Sequence, residues 1–192
     1  MTSWSVTTAP ATEPVHTADA KTYLNVSTSL HDTLIANLVS AARQWYEGYT
    51  GTAVITQTIT QIWDCTPCDG CFELKVGPVT GTPTVSYKDT GGTYQTWASS
   101  NYTLDNISDP SRIVKLSTAS WPVVGIFPAA WKIVYSAGYA SAASVPEDVI
   151  NAILMYTAFL YENREDMPVN ETTNPKVRSA HALAFMRKRQ MI

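Results

Sequence analysis

The sequence predicts an α+β chain: a long N-terminal helix and two C-terminal helices, with an antiparallel β domain inserted between them. Three observations carry that reading. Leu34, Ile35, Leu38, Ala41, Ala42, Trp45 and Tyr49 recur at three- and four-residue steps, the period of a helix with one buried face. From Thr52 to about Tyr139 the composition turns to Thr, Val and Tyr with frequent Gly and Pro, and short apolar runs are divided by turn residues as in an antiparallel sheet. Helix then returns in a nearly unbroken apolar run, Val149 to Tyr161.

Taken in order, residues 1–16 are Thr, Ala and Pro with little periodicity, and are expected to form an extended or mobile arm. The N-terminal helices are expected over 17–51. A short helix follows the arm, capped by Thr17 or Asp19, with Tyr23, Leu24 and Val26 to bury. The long helix starts near Ser29 or Leu30, where Ser29 and Asp32 have the spacing of a capping box. Gly51 stops it, because glycine takes the left-handed position after a helix without steric cost. The β insertion is expected over 52–139. It includes a strand over Val54–Trp63, a hairpin over Tyr87–Tyr94 turning at Gly91-Gly92, and strands over Arg112–Leu116 and Trp131–Tyr135. The C-terminal helices and a basic tail occupy 146–192, with Pro146 at the first helical position and a last helix from about Asn174 to Arg189. These segments are expected to make one structural unit overall.

The balance of side chains narrows the functional classes. Of 192 residues 45% are hydrophobic and only 15% charged, which suits either a Thr- and Ser-rich surface or a surface largely covered by other subunits. A helix apolar on all sides must be buried on all sides. The Val149–Tyr161 run therefore lies at the centre of its own domain, or between that core and a neighbour. Net charge is −3, which argues against a nucleic-acid binder. The charge is uneven: Lys176, Arg178, Arg187, Lys188 and Arg189 stand in a tail without acids, leaving 8 basic against 16 acidic residues before it. Such a tail either docks on an acidic or phosphate-bearing partner or complements a helix dipole. The opening Met1-Thr2-Ser3-Trp4-Ser5-Val6 lacks the basic and apolar regions of a leader, and no apolar run reaches the roughly 20 residues that span a bilayer. A soluble protein made in a reducing cytoplasm, with no membrane partner, is the expectation.

Catalytic signals are thin. The chain carries no phosphate-binding glycine loop, no dinucleotide fingerprint, no nucleophile elbow and no zinc-protease helix. His16, His31 and His181 are scattered and read as exposed or capping residues, while Glu162, Glu165 and Asp166 read as a solvated helix end. All three cysteines fall in Cys65-Thr66-Pro67-Cys68-Asp69-Gly70-Cys71. Thiolates at this spacing can share a metal ion, but the fourth ligand is missing, so free thiols in a loop are the main reading and zinc the lesser one. The expectation is a protein that is not an enzyme and holds no cofactor.

Several strings, in order, resemble one family. Leu38-Val39-Ser40-Ala41-Ala42-Arg43-Gln44-Trp45-Tyr46 leading through Gly51 to Gln57, Trp121-Pro122 before a strand, and Val134-Tyr135-Ser136-Ala137-Gly138-Tyr139 are similar to segments of tailed-bacteriophage head–tail connector (adaptor) proteins, which also occur in gene transfer agents. Val145-Pro146, the apolar helix and Leu160-Tyr161-Glu162-Asn163-Arg164-Glu165 are the most specific match. The resemblance spans about residues 18–190. The cysteine triplet and the Arg187-Lys188-Arg189 ending depart from the pattern.

The resemblance implies a virion protein of the neck, assembled in the host cytoplasm, whose helices form the body of a ring, usually a dodecamer, beneath the portal protein. The lumen would pass genomic DNA without sequence-specific binding, and the lower face would receive a stopper or tail-completion protein. Lys176, Arg178, Arg187, Lys188 and Arg189 would meet the portal. Trp45, Tyr49, Ile153, Tyr156, Leu160 and Tyr161 would serve subunit packing. A tail-completion or tail-terminator ring protein is the alternative. A small metal-binding protein using Cys65, Cys68 and Cys71 is a further one, and a DNA-binding packaging factor is disfavoured by the acidic body.

Overall fold

The computed structural model describes residues 2–163 and 175–188. The chain is α+β, with four α-helices and two antiparallel sheets among those residues. It divides into two compact units, a β unit of residues 2–9 and 56–138 and a helical unit of residues 10–55, 139–163 and 175–188.

The β unit is built from strands β1 (Thr2–Thr8), β2 (Gln57–Trp63), β3 (Cys71–Glu73), β4 (Val79–Lys88), β5 (Tyr94–Trp97), β6 (Tyr102–Asp105), β7 (Arg112–Lys115) and β8 (Trp131–Ala137). One sheet runs β1-β2-β8-β4-β5 and the other β3-β7-β6. The period-two alternation of β2 and β8 places Gln57, Ile59, Gln61 and Trp63 on the buried face beside Ala137, Tyr135, Ile133 and Trp131, their register partners. Over that face lies an aromatic layer. Phe72 of β3 meets Trp63 edge-on at 5.0 Å and Trp131 at 5.1 Å, while Trp97 and Trp121 close on Trp131 at 5.6 and 5.3 Å.

One polar group crosses the layer. The fully buried Gln61 donates from Nε2 to Glu73 O (2.9 Å), and its Oε1 accepts from Lys75 N (3.0 Å) and Tyr135 Oη (3.3 Å). Tyr135 Oη in turn accepts from Val76 N. Buried amides are stable when satisfied in this way, and the bonds tie the segment after β3 to β2 and β8.

The turn between β6 and β7 is held by Asp105. Its carboxylate accepts from Ser108 Oγ (2.7 Å), Arg112 Nε (2.9 Å) and the backbone N–H groups of Ile107 and Ser108. These bonds, Ser108 first and Arg112 next, hold its pKa at about 2. The unfolded value is about 3.9, so this contribution is whole above pH 4 and is lost as pH falls through 2. The melting-temperature gap between the natural chain and Asp105→Asn is therefore expected to be widest above pH 4 and to close toward pH 2. A gap unchanged across that range would contradict it.

The helical unit contains α1 (Thr17–Leu24), α2 (Asp32–Thr50), α3 (Glu147–Glu162) and α4 (Pro175–Met186). Ile35, Val39, Ala42 and Tyr46 of α2 pack with Val149, Ala152, Ile153 and Tyr156 of α3 and with Val177, Ala180 and Ala184 of α4. Gly51 ends α2 at φ 71°, its N–H bonded to Glu47 O. Arg43 ties the unit together although its side chain is only 6% exposed. It donates from Nε and Nη2 to Glu13 (2.7 and 3.2 Å) and from Nη1 to Glu47 Oε2 (2.7 Å), and Glu47 Oε1 accepts from Val54 N (2.9 Å). Burial opposes the charge, but the two carboxylates outweigh it and raise the guanidinium pKa above its ordinary value.

Tyr46 is fully buried, and its hydroxyl has no hydrogen-bond partner among the described residues. Burial pushes its pKa up to about 12. A buried, unpaired hydroxyl costs free energy, so Tyr46→Phe is expected to stabilise the chain by about 1 kcal/mol. Thermal melts would check this, and a loss of stability on substitution would show that the hydroxyl is satisfied.

Several sequence expectations are corrected. Thr2–Thr8 form a strand paired with β2 from Thr2↔Trp63 to Thr8↔Thr58, where an extended or mobile arm is expected over 1–16. The strand expected over Val54–Trp63 begins at Gln57, because Val54 and Ile55 are buried in the helical core. The caps differ as well. His16 and His31 are the N-caps of α1 and α2, neither with a side-chain bond, and Pro146 is the N-cap of α3 rather than its first residue. In α1 it is Ala20 that is buried, while Tyr23 is exposed.

Candidate assembly surfaces

Six residues expected in subunit packing lie on α2 and α3. Trp45 stacks flat on Tyr156, with ring centroids 4.0 Å apart and planes 7° from parallel, and on Tyr49 at 5.9 Å. His181 of α4 points edge-on at both Trp45 (4.9 Å) and Tyr49 (5.0 Å). It is therefore a half-buried member of an aromatic cluster, not the exposed or capping residue the sequence predicts. Ile153 is fully buried and Tyr156 nearly so, which corrects their assignment: they pack inside the helical unit and have no surface to offer a neighbour. Trp45, Tyr49, Leu160 and Tyr161 are half-buried against the same core. Tyr161 Oη and His31 Nδ1 are 2.6 Å apart, joining the end of α3 to the start of α2.

The basic tail is largely engaged at home. Arg187 makes a two-point ion pair with Asp148 at the start of α3, which lowers the aspartate pKa. Lys176 pairs with Glu162 at the end of α3. Lys188 lies over the Tyr49 ring at 4.9 Å. These three contacts lash α4 antiparallel along α3. Arg178 stays exposed, and Arg189, like Glu165 and Asp166, lies outside the described residues.

The cysteine loop does not gather a metal site. Cys65 and Cys68 are exposed and Cys71 is half-buried on β3. Among the described residues no group of three or more His, Cys, Asp or Glu side chains converges as metal ligands would. The Cys71 thiol donates to Asp69 Oδ2 at 3.2 Å, and burial followed by that bond and charge pushes its pKa up to about 11. It is thus a protonated thiol near neutrality, whereas metal binding needs the thiolate. The described residues also contain no helix long and apolar enough to cross a membrane.

With no reaction centre converging in either unit, the fold itself is the most informative feature. A chain in the neck of an empty gene transfer agent particle, computed with C6 symmetry, matches at a TM-score of 0.80 and 20% identity, over 99% of this chain and 97% of that one. This chain has the fold of a gene transfer agent neck chain. The neck of the native particle, computed with C12 symmetry, contains a match at 0.79 and 20% identity over 99% and 97% of the two chains. A chain of the native gene transfer agent virion matches at 0.78 and 20% identity over 98% and 96%. No family model matches the sequence, and no curated protein does. At this identity the shared property is the fold, and it extends over both units because nearly the whole of each chain is covered.

Proposed function

We propose that this chain is a head-to-tail connector (adaptor) subunit of a tailed-phage-like particle, acting structurally and catalysing nothing. The carrying observation is the end-to-end likeness to chains of particle necks, one of them computed with C12 symmetry. On this reading about twelve copies close a ring beneath the portal. The lumen continues the DNA channel, and the lower face receives a stopper or tail-completion protein. The low charged fraction suits a surface that neighbours cover. The acidic balance before Lys176 suits a lumen along which DNA slides, because a basic one would hold phosphates by counterion release. A tail terminator would share the ring but sit on the tail; the neck location of the similar chains favours the connector.

Of the tail residues, exposed Arg178 is the described one with charge to spare for the portal, since Lys176, Arg187 and Lys188 are engaged within the chain. Host cells producing the particle without this protein should accumulate DNA-filled heads and separate tails, with joining restored by adding the chain back. Normal tailed particles in its absence would overturn the proposal.

A further inference from the structure

We infer that copies of this chain join through two different patches of the β unit, the Trp4–Val6 side of β1 on one copy receiving the Val123–Ile126 loop of the next; this rests on the ring reading above. Trp4 and Val6 are register partners of Gln61 and Ile59, so they lie on the same face of the sheet as those buried residues. The aromatic layer that covers β2, β8 and β4 does not extend over β1. Trp4 remains 46% exposed and Val6 44%, although both stand on the core side. β1 is also the terminal strand of its sheet, with no further strand on its outer edge among the described residues. The sheet thus ends in an apolar ledge that lacks its cover.

A matching projection stands at the other side of the same sheet, about 19 Å away across four strand spacings. Between Leu116 and Trp131 the chain leaves the aromatic core at Trp121 and exposes Val123 (77%) and Ile126 (fully) beside the β4–β5 hairpin. Its backbone is fixed. Gly125 N donates to Lys88 O, Tyr94 Oη donates to Ala129 O, and Ala129 N donates to Asp64 Oδ1. Gly125 lies so close to the hairpin that an added Cβ would fall 2.4 Å from Asp89 O. Two large aliphatic side chains are therefore held out to solvent on a braced loop.

Both patches lack charge: no charged residue occurs from Thr2 to Thr12 or from Leu116 to Trp131. Depletion of charge marks interface centres. A closed ring needs a head-to-tail contact, in which two unlike patches of each copy meet, and opposite edges of one sheet supply such a pair. The occupant of the ledge is accordingly a second copy of this chain.

The test places cysteines at Val6 and Ile126 in a chain whose Cys65, Cys68 and Cys71 are replaced by Ser, assembled alone and on the portal, then oxidised. The expected product is a covalent ladder ending at the ring, while either cysteine alone gives none, because a head-to-tail contact keeps identical residues apart. Rings by microscopy without a ladder, or dimers from a single cysteine, would overturn the interface and leave the connector reading standing. Absence of rings from the unaltered chain under both conditions would overturn that reading and the interface with it. As a second measure, Ile126→Asp should keep its melting temperature and lose ring formation; rings at natural yield would overturn the inference.

Discussion

Arg43→Ala is expected to destabilise the helical unit by about 3–5 kcal/mol, the range found when one partner of a buried ion pair is removed. The size follows from what is left behind. Glu47 is largely buried, with one carboxylate oxygen committed to Val54 N and the other losing its guanidinium. Glu13 loses both of its bonds to α2, so the segment leading into α1 is released at the same time. For a unit of about a hundred residues this corresponds to a fall of roughly 12 °C or more in melting temperature. Arg43→Lys keeps the charge but not the fork that reaches two carboxylates at once, so its loss should be smaller yet clear. Equal melting temperatures for Arg43→Ala and the natural chain would show that the carboxylates find other partners.

Trp131→Ala should cost a similar amount in the other unit, about 3–5 kcal/mol, as for large aromatic truncations in a packed core. Trp131 is fully buried at the start of β8, and its ring meets Phe72, Tyr87, Trp97 and Trp121. Its indole N–H also donates to Thr66 Oγ1 at 3.0 Å, so truncation removes both the centre of the aromatic layer and a tie to the cysteine loop. Denaturant titration with tryptophan fluorescence would measure the loss. A change below about 1 kcal/mol would mean that the neighbouring rings collapse into the space, which the crowding of four aromatics around one makes the less favourable result.

Strong periodicity was legible in the sequence and cooperative placement was not. The three-and-four spacing from Leu34 to Tyr49 and the Gly51 stop foretell α2 because helix and cap depend on neighbours in sequence. The Gly91-Gly92 turn foretells the β4–β5 hairpin for the same reason, with Gly92 at φ 82°. β1 was missed because its pairing with β2 joins residues some fifty positions apart. The only local hint is the alternation of Trp4 and Val6 within Ser and Thr. The subunit-packing residues were chosen for their apolarity on α3, and apolarity cannot separate Ile153, which is wholly buried, from Leu160, which is not. The basic tail reads as a docking patch in sequence because Asp148, almost forty residues before Arg187, comes alongside only when α4 folds back on α3. The Arg43 cluster stayed hidden for the same reason, its Glu13 lying in a segment without periodicity.

The connector reading is tested most directly by mixing the purified chain with the portal protein of the same particle and imaging the mixture by electron microscopy. The expected image is a ring of this chain, about twelve copies, seated on the narrow end of the portal. Portals left bare at micromolar concentrations of the chain, with rings found on isolated tails instead, would contradict a connector and place the protein on the tail side of the joint.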